Sequence, residues 1–89
     1  MKRNDGWVLR TVCEEKVLVP EGLGVIDFNR LIRLNGTAAW LWEQAGAQGD
    51  FTADSLSDAL CKAYEVRPET ARADVENILS QWKEMGLIG

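Results

Sequence analysis

The stretch Leu31-Ile-Arg-Leu-Asn-Gly-Thr-Ala-Ala-Trp-Leu-Trp-Glu43 decides how this chain is read. Leu31 to Leu34 is a short β-prone run. Side chains alternate along a strand, so Ile32 and Leu34 share one face while Leu31 and Arg33 share the other. Asn35 is a good helix N-cap, because its side-chain oxygen accepts from backbone N–H groups that have no partner inside the helix. Ala38, Leu41, Trp42 and Ala45 then recur at helical spacing. The segment from Gly46 to Gly49 is expected to end this first helix. A strand therefore runs straight into an amphipathic helix with no linker between them.

Upstream, Trp7-Val-Leu-Arg-Thr-Val-Cys13 and Lys16-Val-Leu-Val19 read as two strands rich in β-branched and large apolar residues. Glu14-Glu15 is expected to turn between them, although it lacks the Asn-Gly chemistry of the best tight turns. Pro20-Glu-Gly22 stops the second run. Val25-Ile-Asp-Phe28 is a further short run, with Asn29-Arg30 as a turn before Leu31. Three or four such strands make a small antiparallel sheet that needs helices to pack against.

Downstream, a second helix is expected from a Thr52 or Asp50 cap, with Leu56, Ala59, Leu60, Ala63 and Tyr64 as its apolar stripe. The third opens with Pro68, where a missing N–H costs nothing. Ala71, Val75, Ile78, Leu79 and Trp82 line one of its faces. Gly86 supplies a left-handed cap, and Leu87 is placed to fold back on Trp82. The helices thus span about 36–46, 53–64 and 68–85, in one α+β domain over residues 1–89. Joined by Glu65-Val-Arg67, the second and third can form a helix-turn-helix pair.

The composition excludes several function classes. Net charge is −4, which disfavours a phosphate-binding or anionic-membrane surface. There is no histidine, hence no usual general base and no commonest metal ligand. Cys13 and Cys61 stand far apart without a CxxC motif and read as reduced structural thiols. No metal, cofactor or catalytic constellation is indicated. The N-terminal segment Met1-Lys-Arg-Asn-Asp-Gly6 lacks a secretory apolar region, and no apolar run nears membrane-spanning length. The expected compartment is the cytoplasm.

Few residues suggest chemistry. Asn35-Gly36-Thr37 fits a glycosylation pattern, but without a secretory signal it reads as a helix cap. Asp54 and Asp58, one turn apart, read as a solvated pair. Trp42 and Trp82 fall on core faces, whereas Trp7 or Trp40 is a candidate exposed anchor for a partner. The third helix carries Arg72 and Lys83 against Glu69, Asp74, Glu76 and Glu84, which repels DNA phosphates. The remaining candidate is an open sheet edge at Leu31 to Leu34. An extended peptide can add there as a strand, or the edge is simply tolerated.

Taken with Tyr64-Glu-Val66, Ala71, Asp74-Val75, Ile78-Leu79 and Gly86-Leu-Ile88, the opening stretch resembles the PqqD-like family. The resemblance implies a winged helix-turn-helix, with an N-terminal sheet followed by three α-helices. It also implies a RiPP recognition element, a non-catalytic module that binds the leader of a ribosomally made precursor peptide. The leader would lie between the third strand and the third helix and be presented to a modifying enzyme, such as a radical SAM protein or a leader peptidase. The implied contacts are Leu31, Ile32, Arg33 and Leu34 on the sheet and Arg72, Val75, Glu76 and Leu79 on the helix. Arg72, Glu76 and Lys83 flank one side of the helix stripe, and Asp74, Gln81 and Met85 flank the other; Val75 and Leu79 border the cleft either way. Val25 to Phe28 looks like an extra hairpin of some short members. If it forms the outer edge, it covers Leu31 to Leu34 or replaces it, and Phe28 joins the contacts. A DNA-binding regulator and a dimerising structural module are the alternative readings.

Overall fold

The computed structural model describes residues 1–21 and 31–89. The run Val25 to Phe28, with its candidate contact Phe28, lies outside the described residues, as do Gly22 and the Asn29-Arg30 turn. Three strands, β1 (Trp7–Val12), β2 (Glu15–Pro20) and β3 (Ile32–Leu34), precede three helices, α1 (Gly36–Gln48), α2 (Ala53–Ala63) and α3 (Pro68–Glu84). The strands pair antiparallel in the order β1-β2-β3. The architecture is α+β.

The hairpin turns one residue earlier than expected. Val12 pairs with Glu15, so the turn is Cys13-Glu14 rather than Glu14-Glu15. Both turn residues have positive φ, 51° and 68°, the backbone of a type I′ turn whose twist matches the flanking strands. The gain is in cross-strand pairing. The observed register sets Leu9 opposite Leu18 and Val8 opposite Val19. A Glu14-Glu15 turn would have set Leu18 against Thr11 and Val19 against Arg10, trading these two apolar pairs for one, Val12 with Val17. Leu18 and Leu34 are buried towards the helices, with Trp7, Leu9 and Ile32 packed at the border of the core.

The helix starts follow local chemistry. Asn35 Oδ1 accepts the Ala38 N–H at 2.8 Å. Thr52, not Asp50, caps α2 through a reciprocal capping box with Ser55. Helix α1 runs past Gly46 because that glycine leaves room for a neighbour. The Arg3 guanidinium lies where a Gly46 side chain would stand, and it stacks 4.9 Å over the Trp42 ring. Gly49, at φ 76°, ends the helix instead.

The core is built on Trp42 and Trp82, which meet edge to face at 5.3 Å with both rings buried. Ala38, Leu41, Leu56, Leu60, Phe51, Ala71, Val75, Leu79, Leu87 and Ile88 fill the space around them. Three expected stripe residues of α2 are not in it, the half-buried Ala59 among them. Ala63 is exposed, and Tyr64 leaves the helix as an extended C-cap residue, half exposed, with its ring edge-on to Trp40 at 5.4 Å. That contact leaves Trp40 partly covered. Trp7 is also partly buried, so neither is the exposed anchor the sequence suggested.

At the C-terminal end of α3 the Leu87 N–H donates to the Trp82 carbonyl at 2.9 Å and the Gly86 N–H to the Lys83 carbonyl at 3.1 Å. This is a Schellman motif with glycine at φ 76°. The turn aims Leu87 and Ile88 into the core and brings the last residues alongside the first. Lys2 and Gly89 exchange two backbone hydrogen bonds at 3.0 Å, and the Asn4 N–H donates to the Leu87 carbonyl at 2.8 Å.

A Cβ on Gly86 would meet no atom within 4 Å, so Gly86→Ala tests backbone strain alone. It should cost about 1–2 kcal/mol. In urea unfolding this lowers the midpoint at constant slope; an unchanged midpoint would remove the left-handed cap from the account.

Candidate functional site

The direction of the backbone groups on β3 follows from the hairpin. In a two-residue hairpin the residues flanking the turn exchange hydrogen bonds, and bonded pairs alternate with non-bonded ones along the ladder. Glu15, Val17 and Val19 therefore turn their N–H and C=O groups towards β1. Lys16 and Leu18 turn theirs towards β3, where they face Leu34 and Ile32. Arg33 lies between those two, so its N–H and C=O point away from β2. Among the described residues no strand pairs with that outer edge. The Arg33 side chain is exposed on the sheet face opposite the helices, 3.6 Å from the Glu15 carboxylate.

One flank of α3 faces the junction where β3 passes into α1. A cleft of about 240 Å³ is lined by Asn35 and Thr37, where β3 passes into α1, and by Asp74, Asn77 and Ile78 of α3. A second hollow of about 430 Å³ shares Thr37 and Asp74 and continues to Gly36, Leu60, Tyr64 and Val66. Together they form a groove beginning beside β3 and passing between the start of α1 and the first half of α3. Its walls are amide, hydroxyl and apolar groups, with Asp74 as the charged residue common to both parts.

The other flank of α3 faces elsewhere. Arg72 is ion-paired with Asp54 in the first turn of α2 and donates to Glu76 at 2.7 Å. The hydrogen bond to Glu76, and then the charge of Asp54, raise the Arg72 pKa above its ordinary value. Glu76 and Leu79 line a separate hollow of about 250 Å³ with Met1, Ala53, Ser80 and Lys83. These residues are some 100° to 200° round the helix from Asp74 and Ile78.

The structure therefore divides the expected contact set. Ile32 to Leu34 form the outer strand that runs into Asn35 at the end of the groove, with Arg33 exposed and Leu34 buried towards the helices. Val75 and Leu79 are buried in the core and support α3 from beneath. Arg72 and Glu76 are turned to α2 and do not line the groove, whose α3 residues come from the Asp74 flank that the sequence left as the alternative. Sequence reading missed Thr37, Asn77 and Ile78 as groove residues and took Asn35 only as a cap. Asp54 belongs to the Arg72 ion pair rather than to a solvated couple with Asp58. Among the described residues no group of three or more Cys, Asp or Glu side chains is placed to hold a metal ion. Cys13 and Cys61 are free thiols. Among the described residues no helix is long and apolar enough to cross a membrane.

The model of the family described as "Coenzyme PQQ synthesis protein D (PqqD)" matches residues 15–88, which runs from the start of β2 to the end of the core. The chain belongs to the PqqD family. Two solved structures share its fold. TbiB1 in complex with the TbiA(beta) leader peptide superposes with a TM-score of 0.72 at 22% identity, covering 98% of this chain and 93% of that one. A lasso peptide synthetase B1 complexed with the leader peptide gives 0.70 at 20% identity, covering 97% and 93%. No curated protein matches the chain significantly.

The ladder alternation makes a sharp prediction for this PqqD-family chain. In hydrogen exchange followed by NMR, the amides of Ile32 and Leu34 should be protected by their bonds to β2. The Arg33 amide between them should exchange at least tenfold faster. Equal protection at all three positions would mean that the outer edge is already occupied.

Proposed function

We propose that this chain binds the leader segment of a ribosomally made precursor peptide as an added strand on β3 and presents it to a modifying enzyme. The observation that carries the reading is the outward-pointing Arg33 backbone beside a groove against α3. A strand laid there gains ladder hydrogen bonds from Arg33, while its inward side chains reach Ile32 and the Asp74–Ile78 flank. Membership of the PqqD family and the leader-bound state of both structural relatives support it.

In this reading the chain is a carrier, not a catalyst. The partner enzyme would be of the class that acts on leader-bearing peptides, a radical SAM protein or a leader peptidase, working in the cytoplasm where the precursor is made. The peptide contacts we assign are Leu31 to Leu34, Thr37, Asp74, Asn77 and Ile78. No observation favours DNA binding, since the exposed side of α3 carries four acids.

The test uses labelled synthetic leaders from any short precursor frame adjacent to this protein's gene. Fluorescence anisotropy should show saturable binding with a Kd of order micromolar, about −8 kcal/mol. Arg33→Pro removes the outward N–H without taking a β2–β3 ladder bond. It should weaken binding about three- to tenfold, the worth of one hydrogen bond. Arg72→Ala, on the far flank, should leave the Kd unchanged. The proposal fails if the wild-type protein shows no saturable binding, or if folded Arg33→Pro binds as tightly as wild type.

A further inference from the structure

The two flanks of α3 differ in how their acids are satisfied. On the flank turned to α2, Glu76 and the facing Asp54 share Arg72. On the groove flank, Asp74 lines both parts of the groove. None of the ion pairs among the described residues includes it. The groove's other lining residues, Asn35, Gly36, Thr37, Leu60, Tyr64, Val66, Asn77 and Ile78, carry no charge to offset it. Nothing in the core requires a charge there, because Asp74 is exposed and lies beside, not on, the apolar stripe of α3.

We infer that Asp74 selects the peptide: the segment seated in the groove carries a lysine or arginine whose cationic group meets the Asp74 carboxylate. The inference rests on the peptide-binding reading above and adds the chemical class of the residue recognised. An unpaired carboxylate in a groove repels an acidic peptide residue and attracts a basic one, so it contributes to discrimination as well as to affinity. The groove is open to solvent, so salt screens the pair and its contribution is moderate. Neutralising Asp74 should weaken a cognate peptide about three- to fivefold at 0.1 M salt, the upper range for an exposed ion pair.

The experiment is selection from a displayed library of random twelve-residue peptides, run in parallel on wild-type protein, Asp74→Lys and Arg33→Pro. Asp74 is an exposed helical position, so its replacement by lysine leaves the core untouched. Enrichment of Lys or Arg at one position by the wild type, changing to Asp or Glu with Asp74→Lys, supports the inference. A motif that depends on Arg33 but has no basic position overturns the inference and leaves strand addition standing. The same holds for a basic preference that Asp74→Lys retains. If the wild type enriches no peptide, both the inference and the peptide-binding reading fall.

Discussion

The edge-to-face contact of Trp42 with Trp82 is the constraint from which the rest of the arrangement follows. It joins α1 to α3 through two buried rings rather than through close helix backbones. Truncating either ring would cost about 3–5 kcal/mol. A chain of this length holds roughly 4–13 kcal/mol in all. The two buried rings therefore carry a large share of the stability, and their contact holds α1 and α3 together. Large side chains between the two helices keep the Asp74–Ile78 flank apart from Asn35 and Thr37. Arg3 stacks on the Trp42 ring, and Gly46 is the residue that lets it approach.

Much of this was legible because it depends on local chemistry. Asn35, Thr52, Pro68 and Gly86 mark helix ends by hydrogen bonds and φ preferences that do not need the rest of the molecule. Trp42, Val75 and Trp82 announced themselves by helical spacing. The hairpin turn was less legible. Cys13-Glu14 has no glycine or asparagine to mark positive φ, and its place is fixed by apolar pairing across the strands, which a turn-first reading does not weigh. The pairing of Lys2 and Asn4 with the C-terminal residues left no signal at all. It is made by backbone groups of a charged, non-periodic segment, and backbone groups are the same in every sequence.

The site divides along the same line. The strand itself could be placed from Leu31 to Glu43, since a β-prone run that passes directly into a capped helix fixes where strand gives way to helix. The flank of α3 could not. An amphipathic helix shows which stripe is buried, but its two borders are equivalent until the direction of packing is known. A weak signal did exist. Arg72 and Glu76 form an i,i+4 pair, and the first turn of α2 offers Asp54 across from it. A basic residue with an acid on its own helix and another on the preceding one is more economically explained by an interhelical ion pair than by a ligand contact. That pair turns the Arg72 flank towards α2 and leaves the opposite flank for the groove.

An edge that accepts a peptide must still avoid pairing with other copies of itself, and β3 shows how both conditions are met. It is three residues long, too short to template a strand by its backbone alone. Arg33 places a charge on it, and two such edges brought together would oppose like charges. A visiting segment gains little from the ladder unless it also fills the groove against α3. In the proposed reading affinity depends on two unlike surfaces at once, a backbone edge indifferent to sequence and a flank whose acid, Asp74, has no ion-pair partner among the described residues. The first supplies the extended geometry. The second supplies the discrimination, because the wrong side chain leaves Asp74 facing an acid or an apolar group while the same ladder bonds form.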